Sequence, residues 1–171
     1  MKIAVVSAAG KGETDRLLAE TAQTLLDNGI SLAGIVKEMR HTSQFENGCD
    51  MKVRVLPDGN IIQITQDLGA GSDACRLDPS AIAEAVAQVE SSDMAQAQLF
   101  ILNKFGPEEA AGHGFVSAIG KAGDLGIPVL VGVSPASRAE FDRFADGLAV
   151  ELPTNVCSIR TWCQREIAVQ V

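Results

Sequence analysis

Four short apolar runs, KIAVVSA (2–8), ISLAGIVKEM (30–39), AQLFILNKFG (97–106) and IPVLVGVS (127–134), recur along this chain with helix-like segments between them. A strand buried on both faces reads as a near-continuous apolar stretch, and parallel strands need a crossover, usually a helix, between them. After the first run, Leu17, Leu18, Thr21, Ala22, Leu25 and Leu26 mark one face of a helix that Asn28-Gly29 terminates. Pro79 opens a helix with Ile82, Val86 and Val89 as its buried stripe, and Phe115, Ala118, Ile119 and Ala122 mark another. A short helix carrying Phe141, Phe144, Ala145 and Leu148, a strand AVELP (149–153) and a terminal helix over 154–165 complete the series. The alternation predicts an α/β fold of three layers, with helices on both faces of a mostly parallel sheet.

One segment breaks the alternation. MKVRVL and IIQITQDL flank Pro57-Asp58-Gly59-Asn60, a turn composition that predicts an inserted β-hairpin. The polar stretch 40–50 and the glycine-containing stretch 68–78 are read as loops. A length of 171 residues predicts a single domain over 1–171, and 46% hydrophobic residues argue against a disordered chain. The formal charge of −8 argues against a nucleic-acid partner. No run approaches the roughly 20 apolar residues of a membrane span, so no membrane insertion is expected. The N-terminus carries no signal-peptide pattern, which predicts a cytoplasmic protein with Cys49, Cys75, Cys157 and Cys163 reduced.

Parallel sheets bind ligands beyond the carboxyl ends of their strands. This rule selects residues 7–14, 103–109 and 134–138. The first of these aligns with the phosphate-binding pattern G-x-x-x-x-G-K-[ST] as Ser7-Ala-Ala-Gly10-Lys11-Gly12-Glu13-Thr14. Gly12 and Thr14 match; the first glycine is a serine, and Glu13 replaces the lysine, so the Walker A motif is degenerate. Such a loop works by aiming backbone N–H groups and a helix N-terminus at an anion, with the lysine adding positive charge. Gly10 and Gly12 keep the backbone permissive, Thr14 offers a hydroxyl, and Lys11 is the substitute cation. The plainer reading is a glycine turn in which Thr14 caps the helix and Glu13 and Asp15 complement its dipole.

The segment Asn103-Lys104-Phe105-Gly106-Pro107-Glu108-Glu109 resembles the D-E-I-G-P-M-E stretch of small P-loop nucleoside-triphosphatases. The resemblance implies that the two acidic positions that support magnesium and activate water are here Asn103 and Lys104; only Gly106 and Glu109 match. Lys104 is thus expected either to replace the missing loop charge or to pair with Glu13. Longer motifs, over Leu18–Val36, Gln66–Pro79 and Asn103–Val133, resemble a bacterial family of unknown function sometimes found with molybdenum ABC-transporter components. That resemblance implies a P-loop fold and association with a transporter component; self-association into a homo-oligomer is also open.

Other candidates are weaker. Arg76 sits at a loop-to-helix junction where its planar fork can hold an oxyanion, and neighbouring Cys75 is a possible reactive thiol. Against this, Asp78 serves as a helix cap, Arg76 pairs with a surface carboxylate and Cys75 is a small buried side chain. His41 with Cys49 and Cys75 has no recognised ligand spacing, and His113 with Glu109 at i, i+4 is only two ligands, so no metal is expected. Ser134, Ser137 and Arg138 stand as possible pocket residues. The leading reading is binding of a nucleotide with Mg²⁺, a phosphate or a molybdate-like oxyanion through Gly10, Lys11, Gly12, Glu13, Thr14, Arg76, Asn103, Lys104 and Glu109, with weak or absent hydrolysis. The alternatives are a regulatory or interaction subunit with a vestigial site, and an NTPase with unconventional catalytic residues.

Overall fold

A computed structural model of the chain describes residues 1–42, 50–57, 59–66 and 76–169. Seven strands form one sheet: β1 (Ile3–Val6), β2 (Leu32–Lys37), β3 (Lys52–Leu56), β4 (Ile61–Gln63), β5 (Leu99–Phe105), β6 (Val129–Val133) and β7 (Ala149–Glu151). Their order across the sheet is β4-β3-β2-β5-β6-β1-β7. β2, β5, β6, β1 and β7 run parallel, whereas β3 pairs antiparallel with both β2 and β4. The hairpin therefore extends one edge of a parallel sheet, as its turn composition predicts.

Among the described residues six α-helices cover the sheet: α1 (Glu13–Asp27), α2 (Pro79–Ser91), α3 (Pro107–Ala110), α4 (Val116–Asp124), α5 (Arg138–Ala145) and α6 (Val156–Ala168). Alternation along each strand divides the core between two faces. Ala4, Val6 and Ile101 meet Leu17, Leu18 and Leu25 of α1 and Trp162, Cys163 and Ile167 of α6. Ile3, Val5 and Phe100 meet Val89 of α2, Ile119 of α4 and Phe141 of α5 on the other face. β5 is the fourth of seven strands, and its first four residues are fully buried, as the most apolar run in the chain requires.

Local details follow from residue type. Asp78 caps α2 by accepting from the Ser80 and Ala81 amides at 2.9 and 3.4 Å, and Pro79 occupies the first turn. Leu148 lies beyond the end of α5 and is 56% exposed, so the apolar stripe of that helix ends at Ala145, where left-handed Asp146 terminates it. Phe105, Phe141 and Phe144 pack together, with Phe105 edge-on to Phe141 at a centroid distance of 5.4 Å.

Candidate functional site

Loop 7–12 leaves the carboxyl end of β1 and enters α1. Gly12 is the N-cap, at φ 72°, a left-handed conformation that glycine adopts without strain. No side chain caps the helix. Thr14 is thus not the cap that one sequence reading allowed: its Oγ1 accepts from the Ala8 amide at 2.9 Å, closing the loop across its own base. The Glu13 amide donates to Gly10 O at 3.1 Å. The Glu13 carboxylate folds back over the loop, so a β-carbon added at Gly10 would sit 2.8 Å from Glu13 Oε2. Lys11 is exposed and makes no hydrogen bond or ion pair among the described residues.

The facing strand end is built on a register shift. Leu102 pairs with Val131, but Phe105 pairs with Val133, so Asn103 and Lys104 together oppose Gly132. Such a bulge re-aims side chains. Asn103 turns toward α1, and Lys104 toward the opposite face, where it borders an apolar cleft of about 230 Å³ lined by Ile35, Val53, Ile82 and Phe115. Gly132 permits this arrangement: a β-carbon there would lie 2.2 Å from Asn103 O, 2.7 Å from Leu18 Cδ1 and 3.0 Å from Thr14 Cγ2.

Asn103 is the centre of a polar link between three elements. Its Nδ2 donates to Asp15 Oδ1 at 3.0 Å, and its Oδ1 accepts the Lys37 amide at 2.9 Å. Lys37 Nζ closes the triangle on Asp15 Oδ2 at 3.2 Å. The expected pairing of Glu13 with Lys104 is not formed among the described residues. Alternation along β5 places Lys104 on the face away from α1, and the acid–base pair is Asp15 with Lys37. Both positions are missing from the sequence-derived ligand set, although Asp15 lies in the first turn of α1 and Lys37 is the last residue of β2.

The remaining candidates scatter. Glu109 is 6% exposed, and its carboxylate is consumed by the Gly106 and Phe115 amides at 3.0 and 3.1 Å. Burial raises its pKa, against the opposing effect of those amides. It shapes the 106–115 turn rather than facing loop 7–14. Arg76 is exposed on a segment where its carbonyl accepts the Gln66 amide at 2.8 Å, and no hydrogen bond or ion pair joins it to residues 7–14. Cys75 and Cys49 lie outside the described residues. His41 Nε2 is 2.7 Å from Asp50 Oδ2, and His113 is exposed. No group of three metal-ligating side chains assembles among the described residues. Arg138 spends its guanidinium on Glu151 and Asp142, which removes it from any pocket. Burial pushes the Cys163 thiol up to about 12, which makes it a core side chain rather than a nucleophile.

The fold is that of a P-loop nucleoside-triphosphatase. It superposes on the solution structure of a human cancer-related nucleoside triphosphatase with a TM-score of 0.57 at 16% identity, over 99% of this chain and 97% of that one. The chain belongs to the DUF2478 family of proteins of unknown function, whose profile matches residues 3–162. It is also 31% identical over 163 residues to the molybdenum import ATP-binding protein ModC 2 of Bradyrhizobium diazoefficiens. That match takes in 94% of this chain but only 18% of the relative's length.

Proposed function

We propose that the chain binds the phosphate of a nucleotide, or a comparable oxyanion, on loop 7–14 and does not turn a nucleotide over. The observation that carries this reading is the uncapped first turn of α1, which follows the carboxyl end of β1 across a glycine N-cap. Exposed backbone N–H groups there suit an anion. Lys11, exposed and in no hydrogen bond or ion pair among the described residues, is the cation that the loop itself carries.

The same geometry argues against hydrolysis. Phosphoryl transfer needs a charge clamp on the phosphates and a carboxylate-supported metal. Glu13 stands where the clamp's lysine belongs, Asn103 replaces a carboxylate, and Asp15 is engaged with Lys37. A role as a regulatory domain alongside the ATP-binding component of a molybdenum importer is the second reading. It is favoured by the match of nearly the whole chain to a small fraction of ModC 2.

A thermal-shift panel of ATP, GTP, phosphate, molybdate and tungstate, each with and without Mg²⁺, tests the binding reading. A ligand at 100 times its dissociation constant adds roughly 2.7 kcal/mol of stability. Lys11→Ala should reduce that shift without lowering the melting temperature of the free protein. A panel with no shift would leave the regulatory reading standing alone.

A further inference from the structure

The hairpin edge carries a second charged feature, independent of loop 7–14. α1 packs over β2, but the strands beyond it, β3 and β4, leave their α1-side face open: Ile61 is 54% exposed and Lys52 and Arg54 are half-buried. An open depression of about 400 Å³ on this face is lined by Arg40, His41, Lys52 and Arg54, with Glu38 beneath.

Two of these basic groups are fixed from behind by buried carboxylates. Glu38, 6% exposed, takes Arg54 through Nε at 3.0 Å and Nη2 at 2.6 Å. Its other oxygen accepts the Arg40 amide at 2.8 Å. Asp50, 4% exposed, holds His41 at 2.7 Å. Arg40 and Lys52 complete the rim, and neither side chain forms an ion pair among the described residues. The cluster therefore carries net positive charge on a chain whose formal net charge is −8. Oriented groups lose less freedom on engaging a ligand, and the Arg40 guanidinium, which no ion pair occupies among the described residues, presents a planar fork to a tetrahedral oxyanion. If these charges served only to keep an edge hairpin from pairing with other sheets, neither the backing carboxylates nor the concavity would be needed.

We infer that this basic depression is an oxyanion site, taking a tetrahedral anion free in solution or as the phosphate group of a larger ligand. Calorimetric titration of the full chain with inorganic phosphate, molybdate and ATP tests it, using Arg40→Ala/Lys52→Ala and, separately, Lys11→Ala. Both rim side chains lie outside the core, so the double variant keeps the Glu38–Arg54 and Asp50–His41 pairs; circular dichroism confirms its fold. The expected result is at least tenfold weaker binding of one or more probes in the double variant. Loss of the free ions identifies a free oxyanion as the ligand, and loss of ATP alone identifies a phosphate carried on a larger molecule. Affinity unchanged within twofold for every probe overturns the inference, as does a wild-type chain that binds none of them. Loss in Lys11→Ala alone leaves the loop reading intact and removes this one; loss in the double variant alone does the reverse.

Discussion

Asn103 Nδ2 lies 3.0 Å from Asp15 Oδ1 and ties the end of the central strand to the first turn of α1. In a P-loop NTPase of ordinary composition an acidic strand end would face this turn and support a metal. Here a neutral carboxamide bridges a carboxylate and a strand amide, and the charge on Asp15 is balanced by Lys37. The site reads as a closed polar link between β5, β2 and α1.

Asn103→Asp should destabilise the protein. The variant loses the donor to Asp15 and places a like charge against it at a position that is 3% exposed. Breaking one partner of a buried hydrogen bond costs about 1–3 kcal/mol. Urea denaturation measures it, and adding Asp15→Asn should restore part of the loss. Strictly additive effects would mean that the two side chains are not coupled.

Gly132→Ala tests the bulge. The new methyl would meet Asn103 O at 2.2 Å, a backbone atom that cannot swing aside. Overpacking of this kind costs about 1–3 kcal/mol. A melting temperature equal to that of the wild type would contradict the close approach of β6, β5 and α1.

Two buried carboxylates should bend the pH dependence of stability in opposite directions. Burial raises the pKa of Glu38, but the Arg40 amide and the Arg54 guanidinium outweigh it and hold Glu38 below its ordinary 4.5. Its stabilisation is present above pH 4.5 and is lost as the pH falls through its folded value. Burial holds Glu109 above 4.5, so its contribution is fully present below that pH and lost as the pH rises through its folded value. Denaturant midpoints from pH 3 to 7 should therefore fall less on acidification in Glu38→Gln than in the wild type, and more in Glu109→Gln. Parallel curves for all three proteins would refute both assignments.

The layered α/β fold was legible because it rests on long-range features of pattern: four apolar runs, the helical stripes between them and one turn composition that signals a hairpin. The loop after β1 was legible for the same reason, as a glycine turn at a strand's carboxyl end. Which charges meet across the site was not. Alternation along β5 leaves only one of Asn103 and Lys104 on the α1 face, and an apolar run does not say which; it is Asn103. Glu13 and Asp15 are likewise two positions apart on one helix turn, and only the backbone path through left-handed Gly12 decides that Asp15 faces the strand. Glu109 matched a family position, yet burial and two amide donors make it a turn-forming group.

Phosphate release measured alongside calorimetric binding of ATP in Mg²⁺ tests the central claim most directly. The account predicts saturable binding, weakened in Lys11→Ala, with phosphate release no faster than in buffer. Turnover of about 1 s⁻¹ or more, in the ordinary range of enzymes, would contradict it. So would an absence of binding by ATP and by every oxyanion in the panel.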